Sequence, residues 1–180
     1  MNNTDILRSI RYTLDLGDSK MMAIFKLADY HVTRDQICNW LKKDDDPDWQ
    51  NCSDMQLAIF LNGLIIDKRG KKEGPPADPE KRLNNNIVLR KLKIAFDLTG
   101  EEIVKIMGAA GLRMSDHEVS SFFRRSDHRH YRSCKDQVLR NFLKGLQMKY
   151  RPPTTTTSES VTEPDARGGS NPWHKCKSPP

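Results

Sequence analysis

Apolar residues recur along this chain at helical spacing, and the pattern is written twice. Ile6, Leu7, Ile10 and Leu14 fall on one buried helical face, and Val88, Leu89, Leu92 and Phe96 repeat that face 82 positions on. Asn3 or Thr4, and Asn85 or Asn86, are the candidate caps of this first helix. Met21, Met22, Ile24, Phe25 and Ala28 mark a second helix, matched by Ile103, Val104, Ile106, Met107 and Ala110. The turn-prone pairs Gly17-Asp18 and Thr99-Gly100 break the chain before it. A third helix has the clearest start: Thr33 stands three residues before Gln36, and Ser115 three before Glu118. Both are capping boxes in which hydroxyl and acid or amide satisfy each other's backbone N–H. Ile37, Trp40 and Leu41, or Val119, Phe122 and Phe123, then turn inward. The fourth helix begins near Asp54 or Asp136, where an acid suits the positive end of the helix dipole. It buries Leu57, Phe60, Leu61 and Leu64, or Leu139, Phe142, Leu143 and Leu146.

The offset never slips: Trp49 pairs with Tyr131, Cys52 with Cys134, Asp54 with Asp136 and Gly63 with Gly145. Residues 2–69 and 84–151 are therefore one supersecondary unit used twice, related by a pseudo-two-fold axis. The prediction is an all-α fold of two tandem pseudo-symmetric four-helix repeats packed into one compact body. Gly63 and Gly145 lie inside the fourth helices, where glycine costs about 1 kcal/mol relative to alanine. They point to a close helix approach, with the two fourth helices expected to cross near the axis. Residues 70–83 (GKKEGPPADPEKRL) hold three prolines and two glycines and read as a linker. Residues 152–180, rich in Thr, Ser and Pro, cannot offset their ordering entropy and read as a disordered tail, with Trp173, His174 and Cys176 as stray side chains in it.

Charge and chemistry narrow the function classes. No segment is apolar over the length of a bilayer span, and Asp5 and Arg8 interrupt the stretch where a secretory signal needs continuous apolar residues, so neither a membrane role nor that export route is expected. Cys38, Cys52, Cys134 and Cys176 lack zinc-module spacing, which favours reduced thiols, and a thiol placed just before a helix, as Cys52 and Cys134 are, reads as a packing residue. Asp127, His128, His130 and Cys134 hold donor types without a metal-site spacing, and the Asp44–Asp48 run lacks the glycine and terminal glutamate of a calcium loop. No catalytic constellation or phosphate-cradling glycine loop stands out, so the reading is non-enzymatic, without cofactor, metal or small-molecule substrate. A net charge of +6 makes an acidic partner plausible.

The segments DILRSIRY (5–12), FLNGLIIDKRGK (60–71), NNNIVLRKLKIAF (84–96) and DQVLRNFLKGL (136–146) resemble the YehS-like family of bacterial proteins, which is built from two copies of a domain of unknown function. The resemblance covers residues 1 to about 151. It implies a bacterial, cytoplasmic protein and brings no established activity and no catalytic residues.

The two copies diverge most between the third and fourth helices. The first repeat has an acidic connection with Asp44, Asp45, Asp46, Asp48 and Trp49. The second has Arg124, Arg125, Arg129, His130, Tyr131 and Arg132. Cations interleaved with an aromatic ring suit a nucleic-acid backbone and unpaired bases. Arg90, Lys91 and Lys93 on the first helix of that repeat extend this set into one basic surface. The favoured partner is RNA or DNA. The competing reading is a protein adaptor or homo-oligomer in which the acidic loop, anchored by Trp49, and the basic loop grip opposite charges. The third helix also has a helix-turn-helix pattern, but Asp116, His117, Ser120 and Ser121 are poor groove readers.

Overall fold

The computed structural model describes residues 1–71, 73–74 and 77–152. The expected tail from residue 153 on, with Trp173, His174 and Cys176, lies outside them, as do residues 72, 75 and 76 of the linker. Eight helices and no strand are found among the described residues: α1 (Asn3–Thr13), α2 (Asp18–Leu27), α3 (Arg34–Leu41), α4 (Asp54–Arg69), α5 (Asn85–Ala95), α6 (Gly100–Ala109), α7 (Asp116–Ser121) and α8 (Asp136–Tyr150). None is long and apolar enough to cross a membrane. The expected all-α fold of two helical repeats is present.

Local chemistry sets the helix ends. The capping boxes at Thr33/Gln36 and Ser115/Glu118 form as the spacing predicts, and Asn2/Asp5, Ser53/Gln56 and Thr99/Glu102 add three more. The caps of α1 and α5 fall one residue earlier than expected, on Asn2 and Asn84. That frees Asn3 and Asn85 for a tertiary task. Asn3 Nδ2 donates to Asp54 Oδ1 (2.7 Å) and the Cys52 carbonyl (3.0 Å), and Asn85 Nδ2 makes the same bonds to Asp136 and Cys134. The other carboxylate oxygen of each aspartate turns to the residue just before the opposite repeat: Asp54 Oδ2 accepts the Leu83 N–H at 2.9 Å, and Asp136 Oδ2 accepts from the amino group of Met1.

The packing is reciprocal. α4 lies between α2 of its own repeat and α5 of the other, and α8 lies between α6 and α1. One apolar cluster therefore runs through both repeats, from Leu7, Phe25 and Phe60 to Leu89, Met107 and Phe142. Ion pairs follow the same exchange: Arg69 reaches Asp97 (2.5 Å) and Arg151 reaches Asp15 (3.2 Å), each across the repeats. Within the repeats, Lys20–Asp67 (2.5 Å) joins α2 to α4, and Glu102–Lys149 (3.3 Å) joins α6 to α8 with both signs reversed.

Gly63 and Gly145 lie in unbroken helices, as expected, but not at a crossing of α4 with α8. A Cβ on Gly63 would collide with the Ile24 carbonyl of α2, and one on Gly145 with the Ile106 carbonyl of α6. The glycines let each fourth helix seat against its own second helix. Gly70 ends α4 at φ 83°, a conformation that disfavours a side chain.

Two outcomes follow. Gly63→Ala gains helix propensity but overpacks the α2–α4 contact, so it lowers unfolding free energy by about 2 kcal/mol in urea titrations. The Glu102 carboxyl is held below its usual range, first by the Thr99 N–H and then by Lys149. A depressed folded pKa contributes stability that is present above the ordinary carboxyl value and lost as pH falls through the folded one. The stability advantage of wild type over Glu102→Gln, measured by denaturation across pH 7 to 2, holds down to about pH 5 and vanishes in stronger acid.

Candidate nucleic-acid interface

The connections after α3 and α7 share one backbone. In the first repeat Asp46 N–H donates to the Lys43 carbonyl, Trp49 N–H to Asp46 and Gln50 N–H to Asn39 (3.0, 3.0 and 3.1 Å). In the second, His128 donates to Arg125, Tyr131 to His128 and Arg132 to Ser121 (3.0, 2.8 and 3.3 Å). Even the side-chain acceptor inside the turn is reproduced: Asp46 Oδ1 takes the Asp48 N–H, and His128 Nδ1 takes the His130 N–H. Sequence changes sign on a fixed template.

The first-repeat connection is largely self-neutralised. Lys42 Nζ sits 2.7 Å from Asp48 and 3.5 Å from Asp46, and Arg8 lies 3.4 Å from Asp44 while donating to the carbonyls of Leu41 and Lys42. Asp48, through a hydrogen bond most of all, and Asp46 hold the Lys42 pKa above its ordinary value. Asp45 is exposed. Trp49 is only half-exposed, and its Nε1 is buried without a hydrogen-bond partner. It does not present the open indole that an anchor needs.

In the second repeat the cation positions persist and three carboxylate positions do not. Arg124 stands where Lys42 is, and Arg90 where Arg8 is, donating likewise to the Phe123 carbonyl at 2.9 Å. Asp44, Asp46 and Asp48 are replaced by Ser126, His128 and His130. Arg129 and Arg132 are added in place of Pro47 and Gln50. Arg90, Arg124, Arg125 and Tyr131 line one open concavity of about 450 Å³, and Arg124, Arg129, His130, Tyr131 and Arg132 line a second of about 190 Å³ beside it. Lys93 lies at the margin, its Nζ 5.8 Å from the Phe123 ring centre. Two acids temper the patch: Asp127 is 3.2 Å from Arg125, and Glu118, depressed mainly by its bond from the Ser115 N–H, is 3.7 Å from Arg132.

Lys91 does not belong to this surface. It is 8% exposed, and its Nζ reaches Asn62 Oδ1 on α4 at 2.5 Å and Glu80 of the linker at 2.9 Å. Because α5 packs on α4, the face that carries Lys91 is covered by the other repeat. Ser121 also fails to face outward as a helix-turn-helix residue should; it is buried, and its hydroxyl donates to the Glu118 carbonyl.

Asn86 is the residue that sequence reasoning misplaced. It is not a helix cap. Its buried Nδ2 donates to the carbonyls of Phe122 (3.0 Å) and Arg132 (2.8 Å), and its Oδ1 accepts the Cys134 N–H (2.9 Å). One amide thereby fixes both ends of the basic connection. The first repeat has Thr4 at this place, with a buried and unpaired hydroxyl oxygen. An asparagine on an otherwise apolar face was the available signal.

Cys52 and Cys134 are free and buried, and burial, followed by the neighbouring Asp54 or Asp136 charge, pushes both thiols up to about 12. Both side chains pack in the core. Among the described residues no three His, Cys, Asp or Glu side chains converge as a metal would need. Asn86→Ala strands three backbone groups, two of them fully buried, and costs about 3 kcal/mol of stability, read from chemical denaturation.

Known proteins place this architecture in a group. The model of a family described as "Protein of unknown function (DUF1456)" matches residues 2–70 and again 85–151. The uncharacterized protein YehS of Escherichia coli (strain K12) is 46% identical over 147 residues, which span 81% of this chain and 94% of that protein. No solved structure matches. With two consecutive copies of the domain covering nearly all of its described helices, the chain belongs to the DUF1456 family.

Proposed function

We propose that this is a non-enzymatic nucleic-acid-binding protein whose contact surface is the basic connection of the second repeat, with Arg90, Lys93, Arg124, Arg125, Arg129, His130, Tyr131 and Arg132 as its contacts. The observation that carries the reading is a broken charge balance. The pair that joins the second and fourth helices changes sign in both members at once, Lys20–Asp67 in one repeat and Glu102–Lys149 in the other. On the shared loop template the cations persist while three acids are lost, so Arg124 keeps the charge of Lys42 without its carboxylates. Charge left uncompensated on a well-ordered loop favours an outside anion. A polyanion gains further by releasing condensed counterions.

The adaptor reading draws less support. Asp44, Asp46 and Asp48 are already paired with Arg8 and Lys42, and Trp49 buries its indole N–H.

The test is crosslinking in growing bacterial cells with parallel recovery of RNA, DNA and protein, comparing wild type with a reversal of Arg124, Arg125, Arg129 and Arg132 to Glu. Nucleic acid recovered with wild type is lost with the reversal, while the far-ultraviolet circular dichroism stays helical. In vitro, the slope of log affinity against log salt becomes shallower by roughly 0.7 for each single-strand phosphate contact removed. Recovery of protein partners alone, or unchanged nucleic-acid recovery by the reversal, overturns the proposal.

A further inference from the structure

We infer that the basic surface takes single-stranded nucleic acid, with the Tyr131 ring inserted between successive bases. The inference rests on the nucleic-acid reading above and adds to it the form of the ligand and the residue that selects it.

Tyr131 and Arg124 line both concavities, so these two residues stand on the ridge between them. The larger hollow, about 450 Å³, lies in the size range of small-ligand sites, and the smaller one holds about 190 Å³. Arg90 and Arg125 flank one side of the ridge, and Arg129 and Arg132 the other, so phosphates on either side of a splayed step meet cations. A half-exposed aromatic between two charged hollows offers a face to any base, because every base has a π-face.

A wedge must also be held still. The Tyr131 N–H bonds the His128 carbonyl at 2.8 Å, the following N–H of Arg132 bonds Ser121, and the Arg132 carbonyl accepts from the buried Asn86 amide. Intact duplex fits this relief poorly. Reading a duplex groove takes a protruding helix or ribbon, whereas bases must leave the stack to enter hollows. The helix that borders the smaller hollow, α7, has six residues and opens with Asp116 and Glu118, which repel phosphate.

The experiment is fluorescence anisotropy with a short labelled RNA strand, the DNA strand of the same sequence and the corresponding duplexes, at one stated salt concentration. Single strands bind at least about 10-fold more tightly than duplexes. Tyr131→Leu weakens single-strand binding by about 10-fold, the scale of one base–aromatic stack, and leaves duplex binding unchanged. Tyr131→Trp restores affinity, and its added indole emission is quenched by bound single strand and not by duplex. Equal affinity for duplex and single strand, or an unaltered Tyr131→Leu protein whose binding still vanishes on arginine reversal, overturns the wedge and leaves the nucleic-acid reading standing. If no oligonucleotide binds in any form, both fall together.

Discussion

Each fourth helix has to satisfy two neighbours at once, the second helix of its own repeat and the first helix of the other. The requirement explains why glycine is placed at Gly63 and Gly145. Pressed against the Ile24 or Ile106 carbonyl, the helix has no room for a side chain there, and the apolar residues around the glycine remain free to cover α5 or α1. It also explains the reach of Asp54 and Asp136, which bind inward to their own first helix and outward to the residue leading into the other. Neither repeat completes its core alone.

Pseudo-symmetry acts as an internal control on charge. In the first repeat Asp18 sits between Arg11 (2.7 Å) and Arg34 (3.0 Å). In the second, Gly100 occupies the aspartate's place, and the Asp116 carboxylate, standing at the position of Arg34, fills the space above it. The acid has moved from one helix start to the next. Rearrangements of this kind maintain complementarity while residues change. The basic connection does not follow that rule: three of its acids are lost and none takes their place in the loop.

How much of this could be read in advance depended on whether the cause was local. Helical periods, capping boxes and the duplicated register are written within a few residues of one another, and they form as read. Lys91 shows the other case. Its position beside an apolar stripe marks a snorkelling surface cation, and only the arrival of α4 and Glu80 from the other side makes it an interior one. Asn86 was hidden for the same reason, because its three partners lie 36 to 48 residues away. The basic loop was legible because it was defined by contrast with its own copy. Its ridge between two hollows was not, since that relief depends on how α5, α7 and the loop meet.

The reciprocal exchange of helices has the geometry of an isologous dimer whose halves have been joined into one polypeptide. In a true homodimer any substitution appears on both sides of the axis, so a loop cannot become cationic without doubling the change and losing the balanced version. Fusion removes that restriction. One loop can go on serving the architecture with its charges matched, while its twin, on the same backbone, is released to carry an unmatched set. Asymmetry of purpose is then obtained from a symmetric scaffold without altering the packing that makes the scaffold stable.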